Sequence, residues 1–277
     1  MHGEDLDMEG KTMEESVLLI EKEDRVCTIT FNRPERRNAL SPMLLLQLCE
    51  YFEQIKQEDE IRCVVLRGAG DKAFSSGYDI TALPTETDPR AMEARRKKTP
   101  FQLAVETIRD FPYPIIAMLN GLAFGGGCEI AITCDIRVAV DTARLGMPPA
   151  KLGLVYSPGG LMRFINVIGL ANAKEMFFTG RFYSAERARE MGLVHYLLPS
   201  NQLIPFTYEM AHEISGNAPL SLKGMKTLFN LFLKHQRFDP EEMKQMEMLI
   251  TKAFASEDLK EGKQAFLEKR KPIFKGK

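Results

Sequence analysis

The strongest constraint on the fold lies in residues 120–135, which read NGLAFGGGCEIAITCD. Before this stretch, residues 113–119 form a short apolar run typical of a buried strand; after its glycines, residues 130–133 can pack as a helix. Gly125, Gly126 and Gly127 lie at the join. Glycine permits positive φ and lets another backbone or a ligand approach closely. The stretch therefore predicts a strand, a tight turn and the first turn of a helix.

The start of such a helix favours negative charge. Its first backbone N–H groups have no partner within the helix, and the positive end of the helix dipole lies behind them. They can hold an anion, or an oxygen that becomes anionic during a reaction. Glu129 falls in the first turn, where it either takes part in chemistry or only compensates the dipole. A glycine run alone also occurs in plain turns.

The first part of the chain alternates short apolar strands with helices. Residues 17–31 predict a hairpin of two strands that turns near residues 23–24. Ser41 is a helix N-cap, Pro42 takes the first helical position, and an apolar stripe at helical spacing follows. Residues 63–66 predict the next buried strand. This alternation favours βαβ units and a largely parallel sheet.

The remainder is predicted as loops and further short elements. The expected loops lie at 32–40, 73–80 and 145–160, with a mobile surface segment at 81–98. The expected regular elements are a helix over 99–110, a strand over 136–140, helices starting near 161, 172 and 184, a strand over 194–198, and only helices over 201–274. We predict three parts: a flexible tail over 1–15, a core over 16–200 and a helical region over 201–277.

Composition and charge narrow the range of partners. The 277 residues carry a formal net charge of −1, which points to neither nucleic acid nor an anionic membrane. No apolar run reaches the roughly 18 residues needed to span a bilayer, and the acidic N-terminus does not resemble a secretory or mitochondrial leader. The five cysteines lack metal-ligand spacing and lie in apolar runs. We expect reduced thiols, no metal and a cytoplasmic protein.

Five sequence blocks resemble the crotonase (enoyl-CoA hydratase/isomerase) superfamily in their order and spacing. They are NRP and NAL within 32–40, AFSSGYDI at 73–80, NG, GGGCEI and CDI within 120–136, TG, A, A and GLV within 179–194, and F, G and FLEKRK within 254–271. The resemblance implies an α/β (α+β) fold, a crotonase-like spiral of ββα units with two sheets and a C-terminal helical trimerisation region. It also implies a homotrimer or a dimer of trimers.

The resemblance assigns a chemistry to the glycine stretch. Members of the superfamily bind acyl-CoA thioesters and hold the thioester oxygen between two backbone N–H groups, which stabilise an enolate. By position these are the amides of Tyr78 and Gly126. Coenzyme A is then part of the substrate, and no separate cofactor is expected.

The resemblance also assigns residues to substrate and CoA binding. The loop at Ser76 and Gly77 is expected to meet the adenine. Arg36, Arg37 and Lys269, the last on the same or a neighbouring subunit, are expected to meet the phosphates. Alternatively, the two arginines lie in a solvated loop and the lysine belongs to a charged chain end. Further residues expected at the site are Ala39, Asp79, Ile80, Gly125 and Pro149.

The pair of acids used by the family's hydratases is incomplete. Glu129 matches the first glutamate, whereas Pro149 stands at the position of the second and has no acid to offer. The isomerase branch depends chiefly on the second glutamate, so a simple double-bond isomerase is disfavoured. A lone Glu129 can still act as acid or base.

Tyr156 is the other candidate group near the acyl chain. Residues 147–156 resemble the loop of the methylmalonyl-CoA decarboxylase branch, whose tyrosine lies in the acyl pocket; alternatively, Tyr156 is a packed aromatic. Decarboxylation needs an enolate hole and a group that orients the carboxylate, and an extra anion would repel that carboxylate. The histidine that this branch carries after its loop glycine is Tyr78 here.

Three functions remain in view. The favoured one is a hydratase- or lyase-type enzyme on an enoyl-CoA, with Tyr156 or a water in place of the second glutamate. The second is an acyl-CoA decarboxylase or thioester hydrolase that shares only the enolate hole. The third is an inactive CoA-binding scaffold, against which the intact glycines and Glu129 argue. His195 and His212 are expected to be structural.

Overall fold

The computed structural model describes residues 16–82, 98–234 and 239–275, which build two β-sheets and a set of surrounding helices. The larger sheet has six strands in the order β1-β2-β3-β5-β7-β10, and the smaller has four in the order β4-β6-β8-β9. The strands are β1 Leu18–Glu23, β2 Val26–Phe31, β3 Cys63–Gly68, β4 Ala73–Ser75, β5 Ile115–Leu119, β6 Leu122–Phe124, β7 Ile136–Val140, β8 Arg144–Gly146, β9 Phe182–Ser184 and β10 Tyr196–Leu198.

The larger sheet is parallel except at its first strand. β1 pairs antiparallel with β2 in the predicted hairpin, and β2, β3, β5, β7 and β10 then pair in parallel. All residues of β2 and β5 are buried, as expected for central strands covered on both faces. The predicted parallel sheet is therefore confirmed.

The helices connect these strands and then form the C-terminal part. They are α1 Pro42–Glu58, α2 Pro100–Asp110, α3 Gly126–Thr133, α4 Pro158–Thr179, α5 Ala185–Glu190, α6 Ser200–Gly216, α7 Pro219–Lys234, α8 Pro240–Phe254 and α9 Glu257–Leu267. At α1, the Ser41 hydroxyl accepts a hydrogen bond from the Leu44 amide at 3.2 Å, which confirms the predicted cap. Within α4, Gly169 has a φ of 74°, which separates the two helical pieces that the sequence predicted.

The smaller sheet corrects two loop predictions. The predicted loop at 73–80 begins with β4, and β8 reaches into the predicted loop at 145–160. The second loop also contains a 3-10 turn, Pro149–Leu152, and the start of α4. Strands of three residues carry too few positions to show an alternating pattern, so only their neighbours in space identify them.

The last helix, α9, packs on the 3-10 turn of its own chain. A Cβ placed on Gly262 would lie 2.7 Å from the carbonyl oxygen of Leu152, so only glycine allows this approach. The C-terminal part therefore supports the loop between Pro149 and Tyr156 from within the same chain. The predicted tail at 1–15 and most of the predicted mobile segment at 81–98 lie outside the described residues.

Candidate functional site

A glycine turn joins β6 to α3, as the sequence predicts. Gly125 is the N-cap of α3 and has a φ of 53° and a ψ of −123°, a conformation suited to glycine. Its own amide donates to the carbonyl of Gly146 at 2.9 Å, which fixes the turn against β8. The amide of Gly126 then begins the helix, at the positive end of its dipole.

The second backbone segment at this point is the turn through Gly77 and Tyr78. A Cβ on Gly77, whose φ is 98°, would lie 3.0 Å from the Gly126 nitrogen. A parallel bridge pairs Tyr78 with Leu40: the Leu40 amide donates to the Gly77 carbonyl and the Asp79 amide to the Leu40 carbonyl. In such a bridge the amide of Tyr78 itself points away from Leu40. The two predicted oxyanion amides therefore lie on adjacent backbones.

Glu129 lies one turn further along α3, and two other side chains hold its carboxylate. Its side chain is only 2% exposed. The Tyr156 hydroxyl donates to Oε2, while Arg163 donates to Oε1 through Nη2 and, at 3.1 Å, through Nε. The predicted pair of Glu129 and Tyr156 is thus in direct contact. Arg163 adds a cation to the pair that balances the negative charge of the glutamate.

Tyr156 is a neutral phenol in this arrangement. Burial, followed by the negative charge of Glu129 and the hydrogen bond to it, raises the pKa of Tyr156 well above its usual value of 10. The ring also packs against Phe177 at a centroid distance of 5.3 Å. Tyr156 therefore packs as an aromatic and also directs its hydroxyl to Glu129; its place in an acyl pocket stays a prediction.

Pro149 lies buried at the start of the 3-10 turn, where the resemblance places the second glutamate of hydratases. The ring of the preceding Pro148 approaches the turn at Gly125, 3.9 Å from where a Cβ would stand. This wall of the site is apolar. Two carboxylates that could hold a water between them are therefore not available here. Only Glu129 is present, and hydrogen-bond donors already contact both of its oxygens.

Four of the residues predicted for CoA binding, Arg36, Arg37, Ala39 and Ser76, lie on two adjoining loops. The Ser76 amide donates to the Arg37 carbonyl at 2.9 Å, and the Ser76 hydroxyl donates to the Arg36 carbonyl at 3.3 Å. Both arginines are exposed, and Ala39 accepts a hydrogen bond from Arg33 through its carbonyl at 2.8 Å. Two basic side chains therefore stand beside the turn that carries Tyr78.

Asp79 and Ile80 follow on the second of these loops, whereas Lys269 lies elsewhere in the chain. Burial alone would raise the pKa of Asp79, but hydrogen bonds from Thr81 and Arg33 outweigh it and lower the pKa. Ile80 begins a short 3-10 turn. Lys269 follows α9 and is exposed, and no hydrogen bond or ion pair within the described ranges joins its side chain to the other predicted residues.

Two residues of the site escaped the sequence analysis. Arg163 is the first charged residue of α4, and no other stands between Pro158 and Ala173. A lone charge in so apolar a helix is a signal for a buried partner. Phe101 on α2 packs edge-on against Tyr78 at 6.2 Å and covers Gly126, a contact that no local pattern reveals.

The far end of α3 is fixed by a buried arginine. Arg137 donates to the carbonyls of Cys134 at 2.7 Å and Leu193 at 2.8 Å, so its charge stands at the negative end of the α3 dipole. Its backbone amide donates to Nδ1 of His195 at 3.1 Å, which leaves the ring proton on Nε2. Partial burial of the ring, followed by the charge of Arg137, lowers the pKa of His195. His195 is therefore a structural partner of this arginine.

We expect the thermal stability of the protein to fall between about pH 7 and pH 5 in part through His195. Because the folded pKa lies below the unfolded value of about 6.5, the stabilisation is fully present above pH 6.5 and is lost as the pH falls towards the folded pKa. Melting temperatures across this range should decline less for His195→Asn, whose side-chain oxygen still accepts the Arg137 amide. Equal declines in both proteins would contradict the assignment.

The α/β fold of two sheets brings the amides of Tyr78 and Gly126 close together at a glycine turn, an arrangement that can stabilise an oxyanion. The family model for enoyl-CoA hydratase/isomerase matches residues 21–277. The chain belongs to this family of acyl-CoA enzymes, and its fold is the crotonase fold.

Individual relatives differ in the reaction that their names describe. A putative enoyl-CoA hydratase/isomerase of Bacillus subtilis (strain 168) is 35% identical over 95% of this chain and 100% of its own length. A solved methylmalonyl-CoA decarboxylase in complex with 2-nitronate-propionyl-CoA is 32% identical, covers 95% of this chain and 99% of its own, and superimposes with a TM-score of 0.88. A solved enoyl-CoA hydratase from Bacillus anthracis is 33% identical and covers 95% of this chain and 100% of its own. It superimposes with a TM-score of 0.73.

Clusters of metal ligands and membrane-spanning helices are absent from the described part of the chain. There, no three potential ligands among histidine, cysteine, aspartate and glutamate cluster as a metal site would require. None of the helices described combines the length and the hydropathy needed to cross a membrane.

Proposed function

We propose that this enzyme decarboxylates an acyl-CoA whose acyl group carries a carboxylate at the carbon next to the thioester. The observation that carries the proposal is the state of Glu129: Arg163 and Tyr156 occupy its two oxygens, and Pro149 replaces the second acid. Hydration needs a positioned water and a group to move its proton. The bond cleavage of decarboxylation needs neither, because the breaking carbon–carbon bond supplies the electron pair and solvent can protonate the enolate afterwards.

The reaction can be written with the residues in named roles. The bond between the carboxylate carbon and the adjacent carbon breaks, CO₂ leaves, and the electron pair forms an enolate on the thioester. The amides of Tyr78 and Gly126 donate to the enolate oxygen, where charge develops in the transition state. The enolate carbon that lost CO₂ then takes up one proton from bulk solvent, so the net reaction consumes one carboxylated acyl-CoA and one H⁺ and yields the saturated acyl-CoA and CO₂.

Tyr156 is proposed to orient the departing carboxylate. When substrate binds, the Tyr156 hydroxyl can donate its hydrogen bond to the substrate carboxylate instead of to Glu129. Glu129 stays in place, because Arg163 still holds it through two N–H groups. Holding the scissile bond perpendicular to the plane of the forming enolate lowers the barrier through orientation alone. The basic Arg36 and Arg37, beside the Tyr78 turn, are proposed to meet the CoA phosphates.

Backbone similarity to a solved decarboxylase supports this proposal. At nearly equal sequence identity, the backbone superimposes more closely on the decarboxylase than on the hydratase. Hydration of an enoyl-CoA is the second candidate, and the observation in its favour is the retained Glu129 on the first turn of α3. In that reaction Glu129 would move the proton alone.

The test is a direct comparison of the two reactions with one enzyme preparation. Methylmalonyl-CoA should yield propionyl-CoA and CO₂, measured by mass spectrometry and by a coupled CO₂ assay. Crotonyl-CoA should keep the absorbance of its conjugated thioester, because Pro149 supplies no second acid and donors already contact both oxygens of Glu129. Rapid loss of that absorbance, with methylmalonyl-CoA and longer 2-carboxyacyl-CoA esters unchanged, would show that the enzyme catalyses hydration and not decarboxylation.

We also propose that the protein works as a homotrimer or a pair of trimers, assembled through its C-terminal helices. α7 exposes a row of apolar side chains, among them Phe229 at 65% and Phe232 at 70% exposure. Large contiguous apolar surfaces of this kind mark protein contacts.

Charge on this surface is expected to disperse the assembly. The double variant Phe229→Lys/Phe232→Lys should sediment as a monomer in analytical ultracentrifugation, because two desolvated ammonium groups are costly to bury. Met43→Lys, at an exposed apolar position on α1, serves as the control and should keep the parent mass. A double variant that sediments like the parent would show that α7 lies outside any contact.

A further inference from the structure

The charge balance between Glu129 and Arg163 bears on which acyl groups can enter the site. Glu129 is almost fully buried, whereas Arg163 keeps 25% of its side chain exposed. Gly126 and Glu129 are three residues apart on α3 and lie on one face of the helix. At this spacing, the Cβ of Glu129 lies roughly 5–6 Å from where a Cβ would stand on Gly126. A thioester oxygen held by the Gly126 amide therefore places its acyl group within one helical turn of the carboxylate.

An acyl group with its own carboxylate meets an electrostatic problem at this distance. Two like charges about 6 Å apart in a partly buried site repel enough to weaken binding by roughly 10–100-fold. The positive charge of Arg163, in contact with Oε1, cancels this repulsion, and Tyr156 adds no charge because it is a neutral phenol. The three side chains together are electrically neutral.

We infer that Arg163 is a specificity-determining positioning residue, which admits carboxylated acyl groups to the site by neutralising Glu129. The inference rests on the proposed function, since it concerns the substrate class of the same site. Arg163 acts through Glu129 and need not touch the substrate. Its contribution is therefore to the difference in affinity between charged and uncharged acyl groups, rather than to the affinity for CoA.

Two probes isolate this difference. One is 2-carboxypropyl-CoA, a thioether that cannot decarboxylate, and the other is propyl-CoA, which lacks only the carboxylate. Their dissociation constants, measured by calorimetry, share every contribution from CoA. In Arg163→Met, we expect 2-carboxypropyl-CoA to bind roughly 10–100-fold more weakly and propyl-CoA to change by less than about threefold.

Three further variants separate charge from fold. Arg163→Lys keeps the cation and should keep the parent ratio of the two constants. The double variant Glu129→Gln/Arg163→Met removes both charges together and should restore the ratio, which a purely structural role cannot explain. Arg189→Met removes an exposed positive charge from α5 and should leave both constants unchanged.

The outcomes distinguish this inference from the proposed reaction. If Arg163→Met weakens both probes equally, or changes neither, the inference is wrong, whatever the wild-type enzyme catalyses. If the ratio responds as expected but no 2-carboxyacyl-CoA loses CO₂, decarboxylation fails and the role of Arg163 in binding stands. Failure of the double variant to restore the ratio would also overturn the inference.

Discussion

Gly126→Ala is expected to lower turnover by about 10²–10³-fold, the usual effect of losing one oxyanion donor. A Cβ at this position would lie 3.1 Å from the Tyr78 nitrogen and 2.9 Å from Cε2 of Phe101. The methyl group would therefore enter the space between the two amides, where the thioester oxygen is proposed to bind. Its effect should appear in kcat, because the charge on that oxygen develops only in the transition state.

The matched control is Gly224→Ala on α7. No atom lies within 4 Å of a Cβ placed there, and alanine in a helix interior is more stable than glycine by about 0.5–1 kcal/mol. This variant should gain stability and keep its turnover. Steady-state kinetics give kcat for both variants, and a denaturant titration gives their free energies of unfolding. A well-folded Gly126→Ala with near-normal kcat would place the oxyanion site elsewhere.

The sequence predicted those parts of the fold whose signals are local. Ser41 followed by Pro42 marks the start of α1, and the glycines before Glu129 mark the start of α3; both follow from the chemistry of single positions. Each of these signals depends on residues within one turn of each other. That is why the hairpin and the C-terminal helices were predictable within the described ranges, while the parallel sheet followed from the alternation of such local elements along the chain.

The site was only partly predictable, for a physical reason. Glu129 and Tyr156 were candidates by type and by family resemblance, but their contact depends on how α3 and the loop before α4 pack. Arg163 lies 34 positions from Glu129, and no periodicity links the two. Ion pairs between elements are a property of tertiary structure, so the neutral charge of this cluster could not be derived from sequence.

The packing of α9 on its own chain is a similar case. In the sequence, Gly262 stands out only as part of a family block, and the structure supplies its physical reason, the carbonyl of Leu152 against it. The consequence is functional, because the turn that α9 supports leads directly to Tyr156. The C-terminal helices therefore hold the site loop of their own chain, whatever role they have in assembly.

Tyr156→Phe and Glu129→Gln are expected to separate the two candidate reactions. Under decarboxylation, Tyr156→Phe loses the hydroxyl proposed to orient the carboxylate and should lower kcat by about 10²-fold, the cost typical of a misplaced reacting group. Glu129→Gln keeps the size of the side chain and leaves Arg163 with an unbalanced charge. The kcat of this variant should fall by less than about tenfold. Its KM for a carboxylated substrate should also fall, because the unbalanced positive charge of Arg163 attracts the substrate carboxylate.

Under hydration the order is reversed. Glu129 would then be the group that moves the proton, and Glu129→Gln should lower kcat by about 10²–10⁴-fold. Tyr156→Phe would remove one hydrogen bond to Glu129 and cost far less. Measuring kcat and KM of both variants on methylmalonyl-CoA and crotonyl-CoA therefore assigns the reaction from the direction of the effects. Near-normal turnover in both variants would mean that neither side chain takes part, since each proposed reaction requires a large loss in one of them.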